Sequence, residues 1–132
     1  MSNKLKHLEF LQNIITRMNS NSFLIKGWTV TIVSALFALS KKDTDSRLLV
    51  VAYISIITFW ILDGYFLSQE RQYRGLYDKV IKIDEDLIDF SLNAKDFDKG
   101  KNTWINCMFS NTIRLFYGIL ILIVLIVKIL IS

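Results

Sequence analysis

The chain has 132 residues, with 16 basic and 12 acidic side chains and a net charge of +4 at pH 7. Proline is absent and there are only five glycines, which disfavours a sandwich or barrel of short strands joined by tight turns. A single cysteine and a single histidine exclude a disulfide framework and a zinc site built from these ligands. We therefore expect an all-α protein of one domain at most, without a metal ion or other cofactor.

Residues 1–22 predict an amphipathic helix, here called the leader. Its apolar side chains recur at spacings of three and four, as Leu8, Leu11, Ile15 and Met18. The polar run Asn19–Ser22 predicts a break before the next segment. The apolar face of the leader has two possible contacts: a cytoplasmic helix of the same subunit, or the surface of a bilayer.

Three apolar stretches follow, at 23–39, 48–67 and 113–132. Each is close to the length of about 20 helical residues that crosses a hydrocarbon core of about 30 Å. Segments in lipid must be helical because an open sheet would leave backbone groups unpaired. We therefore predict an integral membrane protein with a hairpin at 23–67 and a third transmembrane helix, whose bulky, uniform sequence favours contact with lipid. A polar leader of this length without a cleavage pattern disfavours a signal peptide.

The distribution of lysine and arginine predicts the orientation. The leader and residues 68–112 together carry ten basic residues, whereas the short loop between the first two spans carries three, Lys41, Lys42 and Arg47. Basic residues accumulate on the cytoplasmic side. We expect the N-terminus in the cytoplasm and the C-terminus outside.

The second span is predicted to continue into the cytoplasm as one long helix. Residues 70–92 contain no breaker and carry an apolar heptad pattern, here called the stripe: Tyr73, Leu76, Val80, Ile83, Leu87 and Phe90. The stripe suits a single partner surface, which is either the leader of the same subunit or another subunit. The polar segment 93–102 predicts a hinge before the third span.

Charged residues near the cytoplasmic ends of the spans form a predicted charge layer: Lys26, Asp63 and Arg114. A charge at that depth is costly unless it pairs, reaches the interface or meets water. Two hypotheses remain. Asp63 pairs with Lys26 or Arg114 and fixes the helix register, or a ring of Asp63 or Lys26 lines the mouth of an oligomeric pore.

The first span also has a small face, whose members are Gly27, Thr31, Ser34, Ala35 and Ala38. Small residues let membrane helices approach closely, since lipid supplies no hydrophobic drive for their association. The expected contact is the second span of the same hairpin, and the alternative is another subunit.

No set of residues suggests catalysis, so we do not expect an enzyme. His7 is isolated and is interpreted as a surface residue of the leader, and Cys107 as an inert apolar residue without a basic neighbour to lower its pKa. Nucleic acid is not an expected partner, because the basic residues alternate with acidic ones and no recognition motif is present.

The residues Trp60–Tyr77, which join a span to a charged aromatic helix, resemble the SLATT-like small membrane effectors of bacterial conflict systems. The resemblance covers about 5–92, and the third span lies outside that two-span plan. It implies a homo-oligomer that permeabilises or depolarises the inner membrane in antiphage defence. Two alternatives are a non-conducting scaffold that anchors a cytosolic protein through 70–92, and a small channel or transporter subunit.

Overall fold

The computed structural model describes residues 3–39 and 46–131, and within them every regular element is helical. Four α-helices follow in order: α1 (Asn3–Leu39), α2 (Ser46–Lys82), α3 (Trp104–Met108) and α4 (Asn111–Ile131). The predicted all-α class is confirmed, and α1, α2 and α4 are long and apolar enough to cross a membrane. The predicted loop with Lys41 and Lys42 lies outside the described residues.

The leader and the first span form one continuous helix, so the predicted break at Asn19–Ser22 is wrong. Asparagine and serine cost a helix only about 0.5–0.7 kcal/mol each, and the buried face of α1 passes straight through them. Its buried residues keep a helical spacing along α2: His7, Leu11, Ile15, Ser22, Ile25, Thr29 and Val33. This continuous contact outweighs the weak local preference for a turn.

The second predicted span also runs on without interruption, but α2 ends at Lys82 instead of reaching Leu92. The ammonium of Lys4 donates to the carbonyls of Ile81 (3.0 Å) and Ile83 (2.7 Å), which have no partner inside the helix. A lysine at this position also complements the negative end of the helix dipole. The start of α1 therefore caps the end of α2, and the two helices form an antiparallel hairpin about 55 Å long.

The stripe packs within its own chain. Leu76 and Val80 are buried against Leu11 of the leader, with Tyr73 and Ile83 partly buried beside them. The last two positions of the stripe are not helical, because Leu87 lies in a 3₁₀ turn and Phe90 has a φ of +57°. Leu87 is 70% exposed. Two residues that the heptad pattern did not select, Ile88 and Ala94, complete this cluster. We call this part of the bundle, formed by the leader, 68–82 of α2 and 83–103, the stalk.

Residues 83–103, here called the strap, return along α2 to α3. Phe97 packs against Gly75, where an added Cβ would lie 2.7 Å from the ring. Ser68 donates a hydrogen bond to the carbonyl of Asn102 (2.5 Å), and Arg71 donates one to the carbonyl of Lys101 (2.7 Å). The predicted hinge at 93–102 is therefore a packed segment tied to α2.

The third long helix closes the bundle by packing one face onto the hairpin. Its buried residues are spaced four, three and four apart, as Ile113, Tyr117, Leu120 and Val124, and they meet Val33 and Ile56 in the span cluster. Most of the side chains between them are exposed, among them Leu115 and Ile119. The helix α4 thus runs parallel to α1, with its first turn at the level of α3.

Candidate functional site

The polar centre of the bundle is Asp63, whose side chain is fully buried where α1, α2 and α4 meet. The ammonium of Lys26 lies 2.6 Å from Oδ2 of this carboxylate and forms an ion pair with it. The hydroxyl of Tyr117 donates to the same oxygen at 3.0 Å, and the hydroxyl of Ser22 donates to Oδ1. We call these four residues the Asp63 network.

Helical spacing explains why the donors converge. Ser22 and Lys26 are four residues apart on the buried face of α1, and the ammonium also donates to the Ser22 hydroxyl at 2.9 Å. Tyr117 belongs to the buried face of α4 and enters from the opposite side. Two helices, α1 and α4, thus donate to Asp63 of α2, which compensates much of the cost of removing a carboxylate from water.

Aromatic rings enclose this network. The ring of Trp60 stacks on Tyr117 with 5.9 Å between centroids and an interplanar angle of 8°. The indole N–H of Trp60 donates to the carbonyl of Met108 at 2.6 Å. Lys26 remains 20% exposed, and its ammonium lies 5.9 Å from the centroid of Phe116. The carboxylate is therefore dry, whereas its cationic partner reaches the edge of the bundle.

The short helix α3 needs a glycine opposite it. A Cβ added to Gly64 would overlap the side chain of Met108 and lie 3.1 Å from its backbone Cα. Because Gly64 follows Asp63 in α2, this close approach places α3 beside the Asp63 network. Thr103 caps the helix by accepting from the backbone N–H of Asn106 at 3.4 Å.

Arg114, the third member of the predicted charge layer, does not join the network. Its guanidinium is exposed and donates to the side chain of Asn111 at 3.0 Å. Three residues further along α4, Tyr117 occupies the place next to Asp63. Of the two pairings that the sequence left open, the structure has the ion pair between Lys26 and Asp63. The sequence reasoning missed Ser22 and Tyr117, although Ser22 stands one turn before Lys26.

The small face of α1 points away from α2, contrary to the expected contact within the hairpin. All five of its members are exposed: Gly27, Thr31, Ser34, Ala35 and Ala38. The residues that contact α2 instead are on the Ser22–Ile25–Thr29–Val33 face. Alignment of Ser22 and Lys26 with Asp63 fixes the rotation of α1, so the small residues turn outward.

His7 and Cys107 lie in surroundings that differ from the sequence predictions. His7 is buried, not a surface residue, and its ring meets Phe90 edge to face at 5.5 Å. Cys107 is also buried and does have a basic neighbour, since Arg71 donates to its sulfur at 3.7 Å. Burial raises the pKa of the Cys107 thiol, and the opposing effect of Arg71 is smaller.

The Asp63 network can therefore hold three helices in one register, because its members lie on α1, α2 and α4. No protein-family model matches the chain, and no curated protein or solved structure matches it significantly.

Proposed function

We propose that this protein is a homo-oligomeric effector or accessory protein of the bacterial inner membrane that permeabilises or depolarises the membrane in antiphage defence. Its three long helices cross the bilayer, with the leader and the strap in the cytoplasm and the C-terminus outside. The resemblance of Trp60–Tyr77 to the SLATT-like effectors supports the class of activity. The arrangement of the exposed surfaces supports assembly through the spans.

Depth along the helices is consistent with three crossings. Asp63 lies 16 residues from Arg47, or about 24 Å at 1.5 Å per residue. In a hydrocarbon core of about 30 Å, this places the carboxylate about 6 Å inside the cytoplasmic boundary. The ammonium of Lys26, 2.6 Å from Oδ2 of Asp63, then lies close to that boundary but inside it. Trp104 is exposed at about the level of Asp63, near the interfacial zone where tryptophan accumulates.

The outward small face of α1 is the observation that carries the proposal. A Cβ added to Gly27 would meet no atom within 4 Å, so this part of the helix is open to a neighbour. The hydroxyl of Thr31 already donates to the carbonyl of Gly27 at 2.9 Å and needs no water in a membrane. A small surface with its polar group satisfied lets a helix of a second copy approach closely.

The stalk offers less to such an assembly, because the part of the stripe from Tyr73 to Ile83 packs within its own chain. Leu76 and Val80 contact the leader and the strap of their own chain. Association between subunits is therefore expected within the membrane. For a scaffold that binds a partner through 70–92, the same observation places the exposed apolar residues near the end of that segment, at Leu87 and Phe90.

A pair of matched substitutions tests the proposal. Thr31→Leu places a bulky side chain on the small face, whereas Thr58→Leu makes the same change at an exposed position of α2. We expect Thr31→Leu to abolish cross-linked oligomers in membranes and to suppress depolarisation of cells that overexpress the protein. Thr58→Leu should behave as the wild type. A wild-type protein that is monomeric and leaves the membrane potential unchanged would refute the proposal.

A second candidate function is a membrane anchor for a cytosolic protein, and a groove at the tip of the stalk favours it. The groove has a volume of about 390 Å³ and is lined by Asn3, Lys6, His7, Phe10, Phe90 and Leu92. Three of its apolar residues are 43–50% exposed. If the protein is an anchor, Phe10→Ser should release a co-purifying soluble protein and leave the membrane potential unaffected.

A further inference from the structure

Two adjoining surface cavities lie at the start of α4, and they differ in chemistry. One, of about 440 Å³, runs along the helix and is lined by Asn111, Arg114, Leu115, Gly118, Ile119 and Leu122. The other, of about 480 Å³, is bounded by Arg71, Gly100, Lys101, Asn106, Phe109, Ser110 and Asn111. Asn111 belongs to both cavities, so together they form one groove with a polar end and an apolar end.

The apolar end faces away from the rest of the bundle. Leu115, Gly118 and Leu122 are exposed and lie on a different side of α4 from Tyr117, which packs in the span cluster. At Gly118 an added Cβ would meet no atom within 4 Å, so the glycine leaves a notch between bulky neighbours. This surface suits an extended hydrocarbon chain lying along the helix.

Two cations line the polar end, Arg71 of α2 and Lys101 of the strap, and a third, Arg114 of α4, lines the adjoining apolar end three residues after the shared Asn111. Arg71 is oriented by its bond to the Lys101 carbonyl (2.7 Å), and Arg114 by its bond to Asn111 (3.0 Å). Glu70 and Asp98 are acidic neighbours of the adjacent Cys107, and Glu70 is paired with Arg74 at 2.8 Å. The hydroxyl of Ser110 has no hydrogen-bond partner among the described residues.

The first turn of α4 adds to the positive character of this end. The N-terminal N–H groups of a long helix have no partner inside the helix and favour an anion. The distance from Arg114 to Ile131 is 17 residues, or about 26 Å, close to the thickness of a hydrocarbon core of about 30 Å. The cations therefore lie at headgroup level when α4 spans the membrane.

We propose that this groove binds an anionic phospholipid of the cytoplasmic leaflet. Arg114 and Lys101 contact the phosphate, and an acyl chain lies against Leu115 and the notch at Gly118. A lipid satisfies both ends of the groove, whereas free phosphate satisfies only the polar end. The proposal rests on the membrane insertion and orientation in the proposed function, but it does not depend on oligomer formation.

Native mass spectrometry of the purified full chain, released from detergent, tests the proposal. Phosphatidylglycerol and phosphatidylcholine of the same chain length are titrated, and adducts are counted on the monomer peak. We expect phosphatidylglycerol to bind at least about tenfold more tightly, because both lipids present a phosphate but the quaternary ammonium of phosphatidylcholine is repelled by the basic side chains of the polar end. Because only monomers are counted, failure of oligomer formation leaves this readout unaffected.

Variants separate the two ends of the groove. The double substitution Arg114→Gln with Lys101→Gln should abolish the preference for phosphatidylglycerol, and Gly118→Leu should weaken binding of both lipids. Lys128→Gln, which removes a cation at the far end of α4, and Thr58→Leu are the matched controls and should bind as the wild type.

Three results would overturn the proposal. Equal binding of the two lipids would show that the cations do not select the headgroup. Wild-type binding by the double variant and by Gly118→Leu would place the lipid elsewhere. Displacement by millimolar inorganic phosphate, with no effect of Gly118→Leu, would show that the groove is an anion site without a place for the chain.

Discussion

Removal of the Lys26 charge should expose how strongly the Asp63 network holds the bundle. Lys26→Met keeps a side chain of similar length and removes the ammonium. The carboxylate of Asp63 then stays buried with only the hydroxyls of Ser22 and Tyr117 as donors. Loss of one partner of a buried ion pair costs about 3–5 kcal/mol. Because Lys26 is 20% exposed and two donors remain, we expect the lower end, about 3 kcal/mol.

A double-mutant cycle isolates the pair itself. Asp63→Asn removes the charge but presents an amide N–H₂ to a site full of donors, which should cost about 1–3 kcal/mol. The double variant Lys26→Met with Asp63→Asn leaves no buried charge without a partner. Its loss of stability should therefore be smaller than the sum of the two single losses, by about 1–3 kcal/mol.

The free energy of unfolding can be measured by titrating detergent-solubilised protein with a denaturing detergent. Tryptophan fluorescence follows the transition, and one of the three tryptophans, Trp60, lies in the region itself because its indole stacks on Tyr117. Lys128→Met, at an exposed position near the end of α4, is the control and should change stability by less than about 0.5 kcal/mol. Additive losses in the cycle would refute the reasoning. So would an Asp63→Asn protein with unchanged stability and altered ion selectivity, which the pore hypothesis predicts.

Other substitutions test particular contacts. Gly64→Ala should destabilise the fold by about 1–3 kcal/mol in the same titration, because the methyl group overlaps the facing helix. Gly27→Ala has open space and should be neutral or stabilising by up to about 1 kcal/mol; equal effects would contradict the packing of α3. Since burial raises the pKa of Cys107, alkylation by iodoacetamide should be slow at pH 7 and accelerate with rising pH. Arg71→Gln should raise that pKa further and slow the reaction at each pH, and a faster reaction would contradict the assigned contact. His7→Leu should leave stability unchanged or higher, as it removes a buried ring nitrogen that lacks a partner among the described residues; a loss above about 1 kcal/mol would reveal a partner for that nitrogen.

The three long helices could be predicted from sequence because their apolar length is a local property of the chain. The pairing of Lys26 with Asp63 was one of two alternatives, since charges near one end of a bundle must find a partner. The sequence could not decide between Lys26 and Arg114, because that choice depends on the rotation of α4. Tyr117 is on the buried face of α4, and Arg114 is on another side.

The wrong predictions share one cause, which is that contacts between residues far apart in the sequence override local preferences. A break at Asn19–Ser22 follows from local preference, but Ser22 lies on the α1 face that packs against α2. The end of α2 at Lys82 could not be read from the heptad pattern, because it is capped by Lys4, which lies in the other helix of the hairpin. Likewise, small residues in the first span could face either the hairpin or the outside, and only the position of Ser22 and Lys26 against Asp63 decides this.

The most direct test of three membrane crossings is the accessibility of cysteines placed at the two ends of the bundle. In a Cys107→Ser background, Glu9→Cys marks the leader and Leu130→Cys marks the end of α4, both at exposed positions. In intact cells a membrane-impermeant maleimide should label Leu130→Cys but not Glu9→Cys, and in inverted vesicles the labelling should reverse. Labelling of both positions from the same side, or recovery of the protein in solution without detergent, would contradict the account.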